Sequence, residues 1–325
     1  MKEMIMPPTI RIGFIGAGGM ANAVHYPSLA EFPDVTLAAI CDLDQAKLNK
    51  TADKYGVKAR YTDYHQMLRE VELDAVYVVM PPMPLRAIVL DVLAAGKHCF
   101  TEKPPGCSYA EAKEMADAAE KRGLLTMTAF NRRFAAVCVQ ARQMLEERGR
   151  LTQVMSEFHK DMLKSGPYYG LSIIRTDIIH VVDFLRWVGG EVKEVKSYMD
   201  QFHANWDNTF NALIRFQSGM VGILTANRAT GTRYERFEIH GKGAAAYIRA
   251  PETAEVWFEG QKQPTLLEGE KLCGKKDNRI TYGFRDENRY FIDCLKSGQR
   301  PHCCFQDSCK TMELCEIIER GGTNR

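Results

Sequence analysis

The segment with the clearest chemical purpose is Gly16-Ala17-Gly18-Gly19-Met20-Ala21. It follows the apolar, β-branched run 9–15 and precedes residues 22–29, which have the pattern of a short helix. In such a turn Gly16 allows the sharp change of direction, Gly18 lets a pyrophosphate approach the backbone, and Ala21 lets the helix pack closely on the strand. The first N–H groups of the helix then face the phosphates. We predict a dinucleotide-binding turn over 16–21, although the motif alone also fits an ordinary glycine-rich turn.

Asp42 strengthens this prediction. It ends a second buried-looking strand, 35–41, and lies 21 residues beyond Ala21. A carboxylate at this spacing accepts both hydroxyls of an adenosine ribose and repels a 2′-phosphate. The next residue is Leu43, which offers that phosphate no partner. The two features together predict NAD as the cofactor and disfavour NADP.

Asp177, His180 and Asp183 follow one another at steps of three residues in the apolar segment 172–188. That segment is apolar almost all round, which predicts a buried helix with these side chains in one slowly turning stripe. Burying two carboxylates and an imidazole costs several kcal/mol unless they are paired or take part in chemistry. Both a structural Asp–His hydrogen bond and a catalytic site therefore remain open.

Lys103 is the complementary group. It stands between Glu102 and Pro104, directly after the strand-like segment 98–101. The carboxyl edge of a parallel sheet is where such folds bind ligands, so we expect the ammonium to reach the nicotinamide end of the cofactor. There it can hold a substrate oxygen and transfer a proton. A surface lysine without a role is the alternative.

The elements that must position these residues fall into two parts. Strands and helices alternate over 9–130, which predicts a doubly wound parallel sheet in a dinucleotide-binding domain, 1–130. The remainder, 131–325, is predicted as an α+β domain with a large, mostly antiparallel open sheet, because turn residues separate most of its strands. Those strands are predicted at 153–158, 192–199, 210–216, 221–227, 236–240, 245–248 and 255–258. Closing helices from about residue 284 are expected to pack back on the first domain.

Composition narrows the classes of function. The chain has 325 residues, 45% apolar and 26% charged, with a net charge of +2, which is typical of a globular protein of two domains. No basic tail or long apolar run indicates nucleic acid or membrane as a partner. Residues 1–8 do not resemble a signal peptide, so we expect a cytoplasmic protein.

The ten cysteines mostly stand singly in apolar segments, where reduced cysteine behaves as a small apolar residue. One cluster comprises His302, Cys303, Cys304, Cys309 and Cys315. Its spacing matches no common zinc site, so we predict that the protein holds no metal.

Over nearly its whole length the chain resembles the Gfo/Idh/MocA family of nicotinamide-dependent oxidoreductases. The matching segments are the glycine turn, Asp42, Ala95-Gly96-Lys97-His98 running into Glu102-Lys103-Pro104, Phe130-Asn131-Arg132-Arg133-Phe134, and His180-Val181-Val182-Asp183-Phe184-Leu185-Arg186-Trp187. The resemblance implies a Rossmann domain followed by an open-sheet domain that pairs the chains into homodimers or homotetramers. It also implies oxidation or reduction of a secondary hydroxyl on a sugar, cyclitol or sugar derivative.

By this resemblance Lys103 and His180 are the catalytic lysine and histidine, and both are expected to meet beside the reactive carbon of the nicotinamide. Pro81, Glu102 and Lys103 would complete the cofactor site, to which Gly19 and Met20 of the turn also belong. Asn131, Arg132 and Thr176 would contact the substrate. Tyr168, in a loop after Gly166-Pro167, could stack on a sugar ring.

The chain departs from the family pattern at two places. The family acid usually stands four residues before the histidine, where this chain has Thr176, and Asp177 stands three before it. Either Asp177 serves as the acid, with the helix slightly rotated, or the site is a variant of the family's. After the fourth strand the family often has T-P-N-x-x-H, of which only Pro81 matches here.

Two other functions remain open from the sequence. One is a non-catalytic NAD(P)-binding regulator, which would need neither Lys103 nor His180. The other is a reductase of a non-sugar carbonyl or an imine, which the altered acid allows.

Overall fold

The computed structural model describes residues 9–323, which form two compact units. The first comprises the described residues up to Gly106 together with Ala110–Ala129 and Phe284–Cys309. The second comprises Cys107–Tyr109, Phe130–Gly283 and the described residues from Lys310 on. Residues 1–8, on which the prediction about a signal peptide depends, lie outside the described part of the chain.

The first unit is built on a six-stranded sheet whose strand pairs are all parallel. Its strand order, β3-β2-β1-β4-β5-β6, is that of a doubly wound dinucleotide-binding fold, so this part of the fold prediction is confirmed. The strands are β1 (Ile10–Ile15), β2 (Val35–Cys41), β3 (Ala59–Tyr61), β4 (Ala75–Val78), β5 (His98–Thr101) and β6 (Thr126–Thr128). The central strand β4 is completely buried, as expected for a parallel strand that is covered on both faces.

Some helices of the first unit begin or end at residues with known capping roles. Asp44, for example, accepts hydrogen bonds from the N–H groups of Ala46 and Lys47, and Gly56 ends that helix in the left-handed conformation, φ 67°. The helices that follow the glycine turn and alternate with the strands are α1 (Tyr26–Ala30), α2 (Gln45–Tyr55), α3 (Tyr64–Glu70), α4 (Pro82–Ala94) and α5 (Tyr109–Lys121).

Helix α10 (Phe284–Ser297) belongs to the first unit although it lies near the end of the chain. Its Phe291 packs against Tyr77 of β4 and Phe100 of β5, with ring centroids 5.9 and 5.6 Å apart. Arg289 forms an ion pair with Asp34 at 2.8 Å. Both apolar and ionic contacts therefore join this late helix to the first sheet.

The second unit is built on an eight-stranded sheet in the order β14-β13-β12-β11-β7-β10-β9-β8. Its strands are β7 (Leu151–Asp161), β8 (Val192–Asp200), β9 (Thr209–Phe216), β10 (Val221–Asn227), β11 (Ala229–Gly241), β12 (Ala244–Arg249), β13 (Thr253–Phe258) and β14 (Thr265–Glu268). All neighbours are antiparallel except β7 and β10, whose long connection contains a helix, as a parallel pair requires. The predicted large, mostly antiparallel sheet is confirmed.

The predicted helix over 172–188 consists of two parts. A π-helical turn, Ile174–Ile178, leads directly into α7 (Ile179–Gly189). Short π-helical turns occur frequently at functional sites. A second such turn, Ala21–His25, follows the glycine motif of the first unit.

The remaining helices are α6 (Ala136–Glu146), α8 (Gly269–Cys273), α9 (Asn278–Thr281) and α11 (Phe305–Glu319). A 3₁₀ turn, Asn131–Phe134, precedes α6. Within residues 9–323, none of the helices combines the length and the apolar character needed to cross a lipid bilayer.

Candidate active site

Four strands of the first sheet deliver the predicted nucleotide-binding residues to one edge. Ile15 is in register with Cys41 of β2 and with Val78 of β4, and Val78 is in register with Thr101 of β5. The residues that follow are Gly16, Asp42, the segment 79–81 and Glu102-Lys103. They all leave the sheet at its carboxyl edge, which is the ligand-binding edge of doubly wound folds.

The glycine turn has the shape that a dinucleotide needs. Gly16 has a φ of 115°, and a Cβ atom there would lie 2.3 Å from the carbonyl oxygen of Val79. Only glycine fits such a position. At Gly18 and Gly19 an added Cβ would have no heavy atom within 4 Å, so the turn is open on that side. Ala21 is fully buried, which allows the helix to lie close to the sheet.

Asp42 is held by the turn that it faces. Its Oδ2 atom accepts a hydrogen bond from the N–H of Ala17 at 2.7 Å, and Oδ1 accepts one from the N–H of Asp44 at 2.8 Å. These bonds orient the carboxylate beside the glycine motif. The residues present therefore fit NAD, since they combine an open glycine turn with an oriented carboxylate for the ribose. Pro81 caps α4 at the same edge, and Met20 is partly exposed.

Glu102 and Lys103 are held by a buried network within the first unit. Glu102 Oε2 accepts a hydrogen bond from the N–H of Lys103 at 3.1 Å, and Oε1 lies 3.0 Å from His25 Nε2. The other ring nitrogen of His25 lies 3.2 Å from Asn288 Nδ2 of α10. His25 is completely buried, with Glu102 beside one ring nitrogen and the side-chain amide of Asn288 beside the other. The backbone of Lys103 is therefore held by a chain of contacts that includes Glu102 after β5, His25 of the π-helical turn and Asn288 of α10.

In the second unit Asp177 faces two cations. Its Oδ2 accepts a hydrogen bond from Arg228 Nε at 3.0 Å, with Nη2 at 2.9 Å, and its Oδ1 lies 3.7 Å from Lys160 Nζ. Arg228 is completely buried and also donates to the carbonyl oxygen of Phe158. Oδ2 of Asp177 therefore acts as an acceptor, and Oδ1 faces an ammonium group. The catalytic role expected for Asp177 stays a prediction. The hydroxyl of Thr176 donates to the carbonyl oxygen of Ser172 at 3.4 Å.

The other members of the stripe are also buried. Asp183 receives two hydrogen bonds from Arg133, at 2.6 and 2.7 Å, and one from Thr311 at 3.0 Å. This carboxylate holds the 3₁₀ turn, α7 and α11 together. His180 lies one turn before it and is 8% exposed. The stripe predicted from the sequence therefore contains two paired carboxylates and a histidine.

Asn131 and Arg132 form part of a second buried cluster. Arg132 donates to both oxygens of Glu235, at 2.9 and 3.1 Å, and to Asn131 Oδ1 at 2.9 Å. Asn131 donates to the carbonyl oxygen of Tyr282, whose hydroxyl donates to Glu235 at 2.8 Å. Burial raises the pKa of Glu235, but Arg132 and Arg233 outweigh burial and lower this pKa to about 2. These contacts fix the side chains of Asn131 and Arg132, and the substrate contacts expected for them stay a prediction.

A cavity of about 440 Å³ borders this second cluster. Its lining includes Arg233, Glu235 and Tyr282 together with Arg249 and Pro251, at and just after the end of β12. Cys303, Cys304, Cys309 and Cys315 are buried thiols, and among residues 9–323 no group of three or more His, Cys, Asp or Glu side chains is placed to hold a metal ion.

Several partners were not found from the sequence. His25 lies 77 residues from Glu102, and Arg228 lies 51 residues from Asp177. Lys160 and Glu235 were also missed. Each of them is a single polar residue, in a strand, in a π-helical turn or, for Arg228, in the bend between β10 and β11, and no local spacing marks it.

Comparisons with known proteins identify the class. Residues 10–130 match the oxidoreductase family with an NAD-binding Rossmann fold, Gfo/Idh/MocA, and residues 138–247 match the C-terminal domain of the same family. The chain belongs to the Gfo/Idh/MocA family. It is an oxidoreductase with an NAD-binding domain, which is the enzyme class and the cofactor expected from the sequence.

Individual relatives are similar to this chain over more than nine-tenths of its length. The chain is 27% identical over 314 residues to the myo-inositol 2-dehydrogenase of Thermotoga maritima, covering 92% of each protein. Its fold matches an oxidoreductase from Agrobacterium radiobacter in complex with NAD⁺, L-tartaric acid and magnesium, with a TM-score of 0.84, 22% identity and 96% coverage of each chain. It also matches levoglucosan dehydrogenase in complex with NADH and L-sorbose, with a TM-score of 0.82, 20% identity and 97% coverage of each chain.

Proposed function

We propose that the protein transfers a hydride between NAD and a secondary hydroxyl or carbonyl carbon of a sugar, cyclitol or sugar derivative. The observation that carries this proposal is the clamped Glu102-Lys103 segment, which leaves the sheet at the same edge as the glycine turn and Asp42. The names of the relatives, an inositol dehydrogenase and a levoglucosan dehydrogenase, support this substrate class.

In the proposed mechanism Lys103 and His180 act on the proton of the substrate hydroxyl. The Lys103 ammonium holds the substrate oxygen, and the His180 imidazole accepts the proton in oxidation and returns it in reduction. NAD, when bound, supplies the hydride acceptor or donor. Asp177 orients Arg228 and Lys160. Asn131 and Arg132 hold the buried cluster that contains Glu235 and Tyr282. Met20, Gly19 and Pro81 border the cofactor.

We also propose that the protein forms homodimers or homotetramers through the eight-stranded sheet. Leu213 of β9 is in register with Ile223 of β10, and Ile223 is in register with Met155 of β7. The three side chains therefore form a row on one face of the sheet. Leu213 is 55% exposed in the single chain. A row of apolar side chains on an open sheet is typical of a protein–protein interface.

We further propose a cytoplasmic location. The ten free thiols, mostly buried, support a reducing compartment.

The proposal is tested with Lys103→Ala. We expect kcat to fall about 10²–10⁴-fold with a panel of polyols, because the variant removes the ammonium that holds the substrate oxygen during proton transfer. The affinity for NADH, measured by fluorescence titration, should change little. Lys121→Ala, an exposed lysine at the end of α5, is the matched control.

Unchanged turnover in Lys103→Ala would remove this lysine from the mechanism. A wild-type protein that binds NADH but converts no member of the panel would instead favour the regulatory alternative.

A further inference from the structure

Lys160 and Tyr168 form a polar pair at the surface of the second unit. Lys160 lies near the end of β7, and its Nζ donates a hydrogen bond to Tyr168 Oη at 3.0 Å. The side chain of Lys160 is 28% exposed, and Tyr168 is 38% exposed. An ammonium and a phenol therefore reach solvent together.

The charge of Lys160 is poorly compensated. Its nearest carboxylate, Asp177, lies at 3.7 Å and is already engaged by Arg228 at 3.0 and 2.9 Å. The neighbouring Asp161 uses its Oδ1 atom to accept a hydrogen bond from the backbone N–H of Leu163. One carboxylate thus faces two cations, which leaves a surplus positive charge where Lys160 meets solvent.

A second cluster adds to this surplus. Phe158 lies under Arg228 and under Arg233, with its ring centroid 4.1 and 5.3 Å from the two guanidinium carbons. Arg233 shares a single carboxylate, Glu235, with Arg132. Two guanidinium groups therefore lie against the Phe158 ring, close to Lys160 along the chain.

The donors of the pair are arranged for two oxygens. Because Tyr168 Oη accepts from Lys160, its own hydroxyl proton remains to be donated. The Lys160 ammonium has three N–H groups, of which Tyr168 takes one. A charged donor and a neutral donor side by side suit the two oxygens of a carboxylate, and hydrogen bonds to ions are about twice as strong as neutral ones.

Through Asp177 the pair contacts the helical segment that also carries His180. Asp177, which faces Lys160, precedes His180 by three residues in the helical segment formed by Ile174–Ile178 and α7. Residues at this spacing lie on neighbouring parts of one helical face.

We propose that Lys160 and Tyr168 bind a carboxylate group of the substrate, and hence that the substrate is a sugar acid, such as a uronate or an aldonate. This inference rests on the proposed function and specifies the substrate within it. Neutral polyols lack the anionic group that would use the surplus charge.

The experiment compares acids with their neutral counterparts: D-glucuronate with D-glucose, D-galacturonate with D-galactose, and D-gluconate with D-glucitol. NAD reduction is followed for the wild type, Lys160→Met, Tyr168→Phe and the control Lys164→Met, an exposed lysine of the same loop. We expect the wild type to prefer an acid. In Lys160→Met the ratio of kcat/KM for that acid over its neutral partner should fall roughly 10–100-fold, mainly through KM. Lys164→Met should keep the wild-type ratio, and Lys160→Arg should restore part of it.

Calorimetric titration of the same acid into the NADH-bound protein gives a second readout that does not require turnover. If the wild type oxidises only neutral compounds, or if Lys160→Met leaves the ratio unchanged, the carboxylate site is refuted while the proposed function stands. If no compound is oxidised but the acid binds in a Lys160-dependent way, the site is supported and the dehydrogenase proposal is refuted. If the acid neither binds nor reacts, and no neutral compound reacts, both are refuted.

Discussion

Glu235 links the stability of the second unit to pH. Its pKa is lowered from 4.5 to about 2 in the folded protein, because the attraction of Arg132 and Arg233 outweighs the effect of burial. A folded-state pKa below the unfolded one stabilises the folded protein at any pH above the unfolded value. That contribution is lost as the pH falls from about 4.5 towards 2. The difference corresponds to about 3 kcal/mol of unfolding free energy at neutral pH.

We therefore expect Glu235→Gln to be less stable than the wild type by about 3 kcal/mol at pH 7 and by clearly less at pH 3, where the carboxyl is already protonated in the unfolded chain but still mostly ionised in the folded one. The assay is urea denaturation followed by tryptophan fluorescence. The three tryptophans, Trp187, Trp206 and Trp257, all lie in the second unit, so the signal reports the unit that contains Glu235. Glu255→Gln, an exposed position on β13, is the control. Equal destabilisation at pH 7 and pH 3 would show that ionisation of Glu235 is not the source of the effect.

Two further predictions concern the glycine turn and the open sheet. Gly16→Ala should abolish tight NADH binding in fluorescence titrations, because the new Cβ would lie 2.3 Å from the carbonyl oxygen of Val79 and φ is 115°. Gly19→Ala, where the Cβ meets no atom within 4 Å, should leave the protein folded, and equal binding by both variants would contradict the assignment of the turn. Leu213→Glu should lower the mass measured by light scattering after gel filtration, since it buries a charge in the proposed interface. The same mass in Leu213→Glu and in the wild type would place the interface elsewhere.

Much of the fold could be predicted from local pattern. The strand predicted at 221–227 is observed as Val221–Asn227, and that predicted at 192–199 as Val192–Asp200. Alternating apolar residues and nearby turns specify such strands. β14 (Thr265–Glu268) was missed, because it is a short edge strand of four residues. The π-helical turn Ile174–Ile178 was also missed. In a segment that is apolar on all sides, the spacing of apolar residues does not show how many residues make one helical turn.

Only those parts of the site that are set by a characteristic spacing along the chain could be predicted. The glycine turn and Asp42 are visible because their spacing along the chain sets their geometry. The partners of Asp177 and Glu102 are not, because Arg228 and His25 reach them from distant elements through the tertiary fold. Without these partners a carboxylate in an apolar helix can be interpreted equally well as an acid catalyst or as one half of an ion pair.

The late helix α10 has a consequence for biosynthesis. Asn288 and Phe291 complete the interior of the first unit, yet some 150 residues of the second unit are translated between Ala129 and Phe284. At about 5–20 residues per second the ribosome needs roughly 8–30 s for that stretch. During this interval the nascent first unit lacks the side chains that cover Tyr77 and contact His25. Its interior can therefore be completed only after α10 has been synthesised.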